Sequence, residues 1–140
     1  MDRSIGVSGL FMPQAGGTTI FHVRLGCCGG CGDMVDAVIR GRFARGPRAR
    51  ECASPRHAGL IVVTGLWNVG LAEAALSVIE QAPAARKVMI LGDCALGRGP
   101  LAAPLKYFDT VADSLSADAE VGGCPISLEA IREGLMDVAR

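Results

Sequence analysis

The run GCCGGCG, residues 26–32, sets Cys27, Cys28 and Cys31 among four glycines. Cys28 and Cys31 have C-x-x-C spacing, which lets two thiolates share a metal or take part in redox exchange. Three more cysteines, Cys52, Cys94 and Cys124, stand downstream. The opening residues MDRSIGVSGLF hold no long apolar segment with a cleavage site, and no twin-arginine pair. The chain is therefore expected to stay in the cytoplasm. Reducing conditions there disfavour structural disulfides, so clustered thiols point to metal or redox chemistry.

The elements around these cysteines must bring them together. TTIFHVRLG is β-branched, apolar and ends in glycine, which predicts a strand. After Cys31, Met34, Val35, Val38 and Ile39 recur at helical spacing, which predicts a helix to about Arg42. LIVVTG and KVMILGD are continuous apolar runs bounded by turn residues, the pattern of strands buried on both faces of a parallel sheet. Between them NVGLAEAALSVIEQA reads as a helix with Asn68 as its cap. LAAPLKYF reads as a short helix interrupted by Pro104, and AEVGG as a short strand. SLEAIREGLMDVA is the final helix; Ser127 can cap it, and Ala130 at the third helical position excludes a capping box. The 140 residues suit one domain with one core. Residues 1–17 are read as an N-terminal arm and 18–140 as a single domain. Alternating strands and helices with short loops predict a doubly wound parallel α/β sheet.

In that arrangement three of the four expected strands run into glycine and a cysteine-bearing loop. The first leads to Cys27, Cys28 and Cys31, VMILGD to Cys94, and AEVGG to Cys124. Such loops share the carboxyl edge of a parallel sheet, where these folds bind ligands. Cys28, Cys31, Cys94 and Cys124 then make four thiolates. Four thiolates suit zinc or an iron–sulfur cluster. Structural zinc sites usually bring two close pairs of ligands, whereas here there is one pair and two singles. Glycines in GCCGGCG, GDCALGRG and GGC leave room for backbone N–H groups beside the sulfurs, which favours the cluster over zinc. A C-x-x-C acting alone in redox exchange leaves Cys94 and Cys124 unexplained.

Composition closes other routes. Lysine plus arginine equals aspartate plus glutamate, and the formal net charge is zero, so nothing favours nucleic acid. LIVV and VMIL are far too short to span a bilayer. GDCALGRG lacks the lysine and hydroxyl residue of a phosphate-binding loop.

Four segments in order, GCCGGC, SPRHAGLIVVTG, ILGDCALGRGPL and VGGCPISLEAIREGL, resemble the small-subunit family shared by nickel–iron hydrogenases and the PSST-type (20 kDa) subunit of respiratory complex I. The match runs from about Arg24 to Leu135. SPRHA…VTG and GDCA look most like the energy-converting, membrane-associated hydrogenases and formate hydrogenlyase. The resemblance implies a flavodoxin-like domain with one 4Fe–4S cluster held by Cys28, Cys31, Cys94 and Cys124. In the hydrogenases that cluster is proximal to the nickel–iron centre; in complex I it is the last before quinone. The complex I branch uses two adjacent cysteines, as at Cys27 and Cys28, but the downstream register places its second cysteine at Cys31. The hydrogenase-type pair is adopted, with Cys27 as a neighbouring thiol.

Two positions depart from the family. Its usual glutamate, three residues after the second cysteine, is Met34 here, with Asp33 and Asp36 nearby; and its second proline after the last cysteine is Ile126. Arg56 and His57, in SPRHAG, are placed beside the cluster or the partner's active site; the alternatives are a solvated Arg56 and a His57 that packs or hydrogen-bonds. Cys52 reads as an ordinary thiol and Trp67 as a packing or interface residue. The arginine-rich segment from Arg40 to Arg56 reads as a solvated face or a docking surface.

The functional expectation is a one-cluster electron-transfer subunit of an oxidoreductase complex, with no catalysis by the chain alone. Its implied partners are a nickel–iron large subunit and other iron–sulfur and membrane subunits, on the inner face of the cytoplasmic membrane. The alternatives are a complex I-type subunit that reduces quinone and, in another class, a non-redox zinc-bound assembly module.

Overall fold

The computed structural model describes residues 18–26, 28–40, 49–98, 108–109 and 115–139. Strand β1 (Thr18–Arg24) leads into helix α1 (Gly30–Ile39), then β2 (Ala49–Glu51), a 3-10 turn (Pro55–His57) and β3 (Leu60–Thr64). The chain continues through β4 (Trp67–Asn68), α2 (Val69–Glu80), β5 (Lys87–Leu91), β6 (Phe108–Asp109), β7 (Ala119–Val121) and α3 (Leu128–Ala139).

Five strands form one sheet in the order β2-β1-β3-β5-β7, and every pairing in it is parallel. With the five strands counted along the chain this is the flavodoxin-like order, and the expected doubly wound α/β architecture holds. β3 lies at the centre and all five of its residues are buried. Alternate side chains of a strand point to opposite faces. Ile61 and Val63 accordingly join Ala75 and Ile79 of α2 on one face, while Leu60 and Val62 join Val35 and Val38 of α1 and Ile131 and Leu135 of α3 on the other. That two-sided burial is why LIVVT carries no polar alternation.

Two boundaries differ from the sequence reading. Helix α1 stops at Ile39 rather than near Arg42, with Arg40 as its C-cap; glycine at position 41 weakens further propagation. The arginine-rich segment, for which the sequence predicts no strand, contains the edge strand β2, whose residues Ala49, Arg50 and Glu51 pair with Thr18, Thr19 and Ile20. An edge strand needs no apolar run, and charged side chains protect it from pairing with other chains. β4 and β6 make a separate two-residue antiparallel ribbon. The short helix expected over residues 101–108 lies outside the described residues except for Phe108, which is in β6. The arm at 1–17 also lies outside them. Ser127 caps α3 as expected, its hydroxyl accepting from the Ala130 N–H at 3.1 Å.

Candidate functional site

The sheet delivers the loops after β1, β5 and β7 to its carboxyl edge, and backbone hydrogen bonds join them. After β5, the Gly92 N–H donates to Val121 O at 2.8 Å and the Asp93 N–H to Gly123 O at 2.9 Å. The Asp93 carboxylate returns the contact by accepting from the Gly123 N–H at 2.7 Å. The loops that carry Cys94 and Cys124 are thus clamped together in both directions. After β1, the Leu25 N–H donates to Thr64 O at 2.8 Å, and the Leu66 N–H donates to Gly26 O at 3.0 Å. Gly65 makes that crossing feasible: its φ is +93°, and a Cβ there would stand 2.1 Å from Leu25 O.

Cys31, in the first turn of α1, bridges these groups of loops. It is buried, and its Sγ accepts from the Ile126 N–H at 3.4 Å. The same sulfur lies 4.0 Å from Gly123 O. Gly92, with φ +96°, leaves the space beside it open, since a Cβ at that position would be 2.8 Å from Sγ. Cys28 is exposed, and its Sγ and the Pro125 side chain lie within 3.6 Å of the space above Gly30. Cys94 is buried just after Gly92 and Asp93, and Cys124 is exposed ahead of a cis bond to Pro125.

The four expected ligands therefore occupy adjoining loops on one edge, two buried and two exposed. Among the described residues, no three His, Cys, Asp or Glu side chains are grouped to hold one metal ion. A zinc ion draws all its ligands onto a single atom; a 4Fe–4S cube takes each thiolate at a separate corner iron. The residues fit the cube in donor type, in the space left by Gly30 and Gly92, and in having an N–H aimed at Cys31.

Other expected residues fall elsewhere. Arg56 and His57 are exposed in the 3-10 turn before β3. That turn leads to Gly59, whose N–H donates to Thr19 O and whose carbonyl accepts from the Lys87 N–H, both at 3.0 Å. Thr19 and Lys87 lie at the amino ends of β1 and β5, so the structure does not bring Arg56 and His57 to the carboxyl-edge cysteines. Cys52 donates to Ile20 O at 3.4 Å, and burial pushes its thiol above the usual range, consistent with an inert thiol. Cys27 lies outside the described residues. Trp67 is buried in the α2-side core.

The sequence reading passed over a polar network below α1. His22 Nδ1 lies 2.9 Å from Asp36 Oδ1, and its Nε2 lies 2.8 Å from Thr64 Oγ1. Because a carboxylate only accepts, Nδ1 carries the proton and the neutral ring accepts from Thr64. Burial pushes His22 below histidine's usual 6.5, against the raising influence of Asp36. Arg24 donates to Asp36 Oδ2 at 2.9 Å, Asp33 Oδ1 at 2.7 Å and Gly29 O at 3.2 Å. The hydrogen bond to Asp33 is the chief influence that holds the guanidinium charged. The signal was present in spacing: His22 and Arg24 share one face of β1, and Asp33 and Asp36 share one face of α1.

Known proteins share both the sequence pattern and the fold. The chain is 32% identical over 119 residues to the probable membrane-bound hydrogenase subunit mbhJ of Pyrococcus furiosus, covering 84% of this chain and 71% of that one. It is 28% identical over 121 residues to an F(420)H(2) dehydrogenase subunit of Methanosarcina mazei, covering 81% of this chain but only 61% of the relative. It is 34% identical over 83 residues to an NADH-quinone oxidoreductase subunit of Heliobacterium modesticaldum, covering 59% of this chain and 47% of that one. The fold is shared with a chain of the membrane-bound sulfane sulfur reductase, an archaeal respiratory membrane complex, at TM-score 0.66 and 20% identity over 89% of this chain and 71% of that one. It is also shared with a chain of the NAD+-reducing [NiFe]-hydrogenase in the H2-reduced state, at TM-score 0.65 and 17% identity over 88% and 91%. The relatives are subunits of oxidoreductases; the Pyrococcus furiosus one is named as membrane-bound, and the sulfane sulfur reductase is a membrane complex. Among the described residues no helix is long and apolar enough to cross a membrane. The model for the NADH ubiquinone oxidoreductase 20 Kd subunit matches residues 25–138, from the residue after β1 to the last turn of α3, and the chain belongs to that family.

Proposed function

We propose that the chain is the electron-transfer subunit of a nickel–iron hydrogenase-type complex, with one 4Fe–4S cluster held by Cys28, Cys31, Cys94 and Cys124 beside a catalytic large subunit. The supporting observation is that three separate strand-end loops carrying these four cysteines adjoin one another at the carboxyl edge, clamped by Asp93 and by the N–H bond to Cys31. A bound cluster would supply one-electron transfer. Cys31 and Cys94 would anchor it from the buried side. Cys28 and Cys124, exposed on the same edge, would stand toward the partner and shorten the electron's path. The Ile126 N–H would hydrogen-bond a ligating sulfur, a contact that tunes potential. No catalysis is expected from the chain alone. Its proposed place is the inner face of the cytoplasmic membrane, held there by the large subunit and by other iron–sulfur and membrane subunits.

A second reading is a complex I-type subunit whose cluster passes electrons to quinone. The adjacent Cys27 and Cys28 and the likeness to an NADH-quinone oxidoreductase subunit favour it. The zinc-bound assembly module has no support in the relatives and is dropped.

The test is anaerobic purification of the chain with its co-expressed partners. About four irons and four sulfides per chain, and a paramagnetic signal on reduction, are expected. Stoichiometric zinc without iron would refute the electron-transfer reading. A co-purifying large subunit that carries nickel separates the hydrogenase reading from the quinone-linked one.

A further inference from the structure

We propose that Arg24 is the positioning residue of the Cys28–Cys31 turn: it straps the two thiols in place and keeps a fixed positive charge beside them. The proposal rests on the electron-transfer reading of the same edge. Arg24 is the last residue of β1. Its guanidinium reaches forward along the chain to Gly29 O at 3.2 Å, Asp33 Oδ1 at 2.7 Å and Asp36 Oδ2 at 2.9 Å. Gly29 lies between the two cysteines, and Asp33 follows the second. One planar fork therefore grips both the turn inside the C-x-x-C pair and the helix that leaves it, a geometry that an ammonium group does not reproduce.

Gly32 carries the same message from the other side. A Cβ there would stand 2.4 Å from Arg24 Nε, so the guanidinium fills the space over the first turn of α1. Helix electrostatics do not account for a cation in that place. The N-terminal end of a helix is its positive end, and a positive side chain there is unfavourable. Asp33 and Asp36 offset this. The two cysteines that flank its contact at Gly29 O supply a further reason, because a thiolate-ligated cluster is anionic and becomes more so on reduction. Arginine does not titrate in the working range, so its charge is constant. Without it, the carboxylates of Asp33 and Asp36 would face that anion uncompensated.

The test uses the intact complex, purified anaerobically as wild type, Arg24→Gln, Arg24→Lys and Gly32→Ala. Three quantities are read: cluster retention against an iron chelator, the midpoint potential from a redox titration of the paramagnetic signal, and the thermal unfolding midpoint. Arg24→Gln is expected to lower the potential and to weaken retention about 10-fold, the scale of lost contacts behind metal ligands. Arg24→Lys should keep the potential nearer wild type yet lose retention. Gly32→Ala displaces the guanidinium without removing its charge, so it should weaken retention as the glutamine variant does while shifting the potential less, and it decides the matter if Arg24→Gln does not accumulate. Unshifted potential and retention, or a change in thermal midpoint alone, would overturn the assignment of Arg24. A wild-type complex without the cluster overturns the electron-transfer reading and this one with it.

Discussion

Cys31 and Ile126 are 95 positions apart, and the Ile126 N–H points at the Cys31 sulfur from 3.4 Å. One residue opens α1, after β1; the other follows β7, at the sheet's far edge. Their contact joins the first and last cysteine loops above the buried centre of the sheet.

The thiols should divide by position. Serine at Cys28, Cys31, Cys94 or Cys124 is expected to abolish or strongly destabilise the cluster, while Cys52→Ser leaves it intact because that thiol faces Ile20 O. Iron and sulfide content of anaerobic protein checks this. Retention by Cys31→Ser together with loss in Cys27→Ser would transfer the site to the adjacent pair.

Gly92→Ala should be more damaging than an added methyl group suggests. The backbone there has φ +96°, which costs a residue with a Cβ about 1–2 kcal/mol. The new Cβ would also stand 2.8 Å from Cys31 Sγ and push a ligand aside. The expected result is loss of iron together with a lower urea midpoint; unchanged iron content would argue against Cys31 as a ligand.

Asp93→Ala should loosen the clamp between the Cys94 and Cys124 loops. It removes a 2.7 Å hydrogen bond from the Gly123 N–H to a carboxylate, worth about 1.5–3 kcal/mol. Urea unfolding measures the loss. Hydrogen exchange at Gly123 should speed up while the β3 amides stay protected, because β3 makes no use of that contact.

His22 should make the fold sensitive to acid. Burial lowers its folded-state pKa below the usual 6.5. As pH falls through that value the unfolded chain takes up a proton that the folded chain refuses, so stability declines on acidification and is flat above. Urea midpoints measured from pH 7 to 5 should therefore fall in wild type. The decline should be shallower in His22→Gln, which has no proton to gain; equal slopes would show that His22 is not the group.

What could be read from the residues alone depended on local pattern. Unbroken apolar runs at 60–63 and 88–91 marked strands covered on both faces, and the spacing of Met34, Val35, Val38 and Ile39 marked α1. Glycine and cysteine after the strands at Thr18–Arg24, Lys87–Leu91 and Ala119–Val121 placed the thiols on the carboxyl edge, because strand direction in a parallel sheet makes that edge common to all of them. β2 escaped notice because an edge strand is held by backbone pairing, which leaves no side-chain signature in AREC. The place of Arg56 and His57 escaped for a related reason. Their distance along the chain from the cysteines says nothing about which end of β3 they precede. The grip of Arg24 on Gly29, Asp33 and Asp36, the ring of His22 between Asp36 and Thr64, and the N–H aimed at Cys31 all join residues from different elements. Periodicity tells which face of its own element a residue occupies. Which partner that face meets, and at what distance, was decided only when the sheet register stacked β1 against β3 and laid α1 across them.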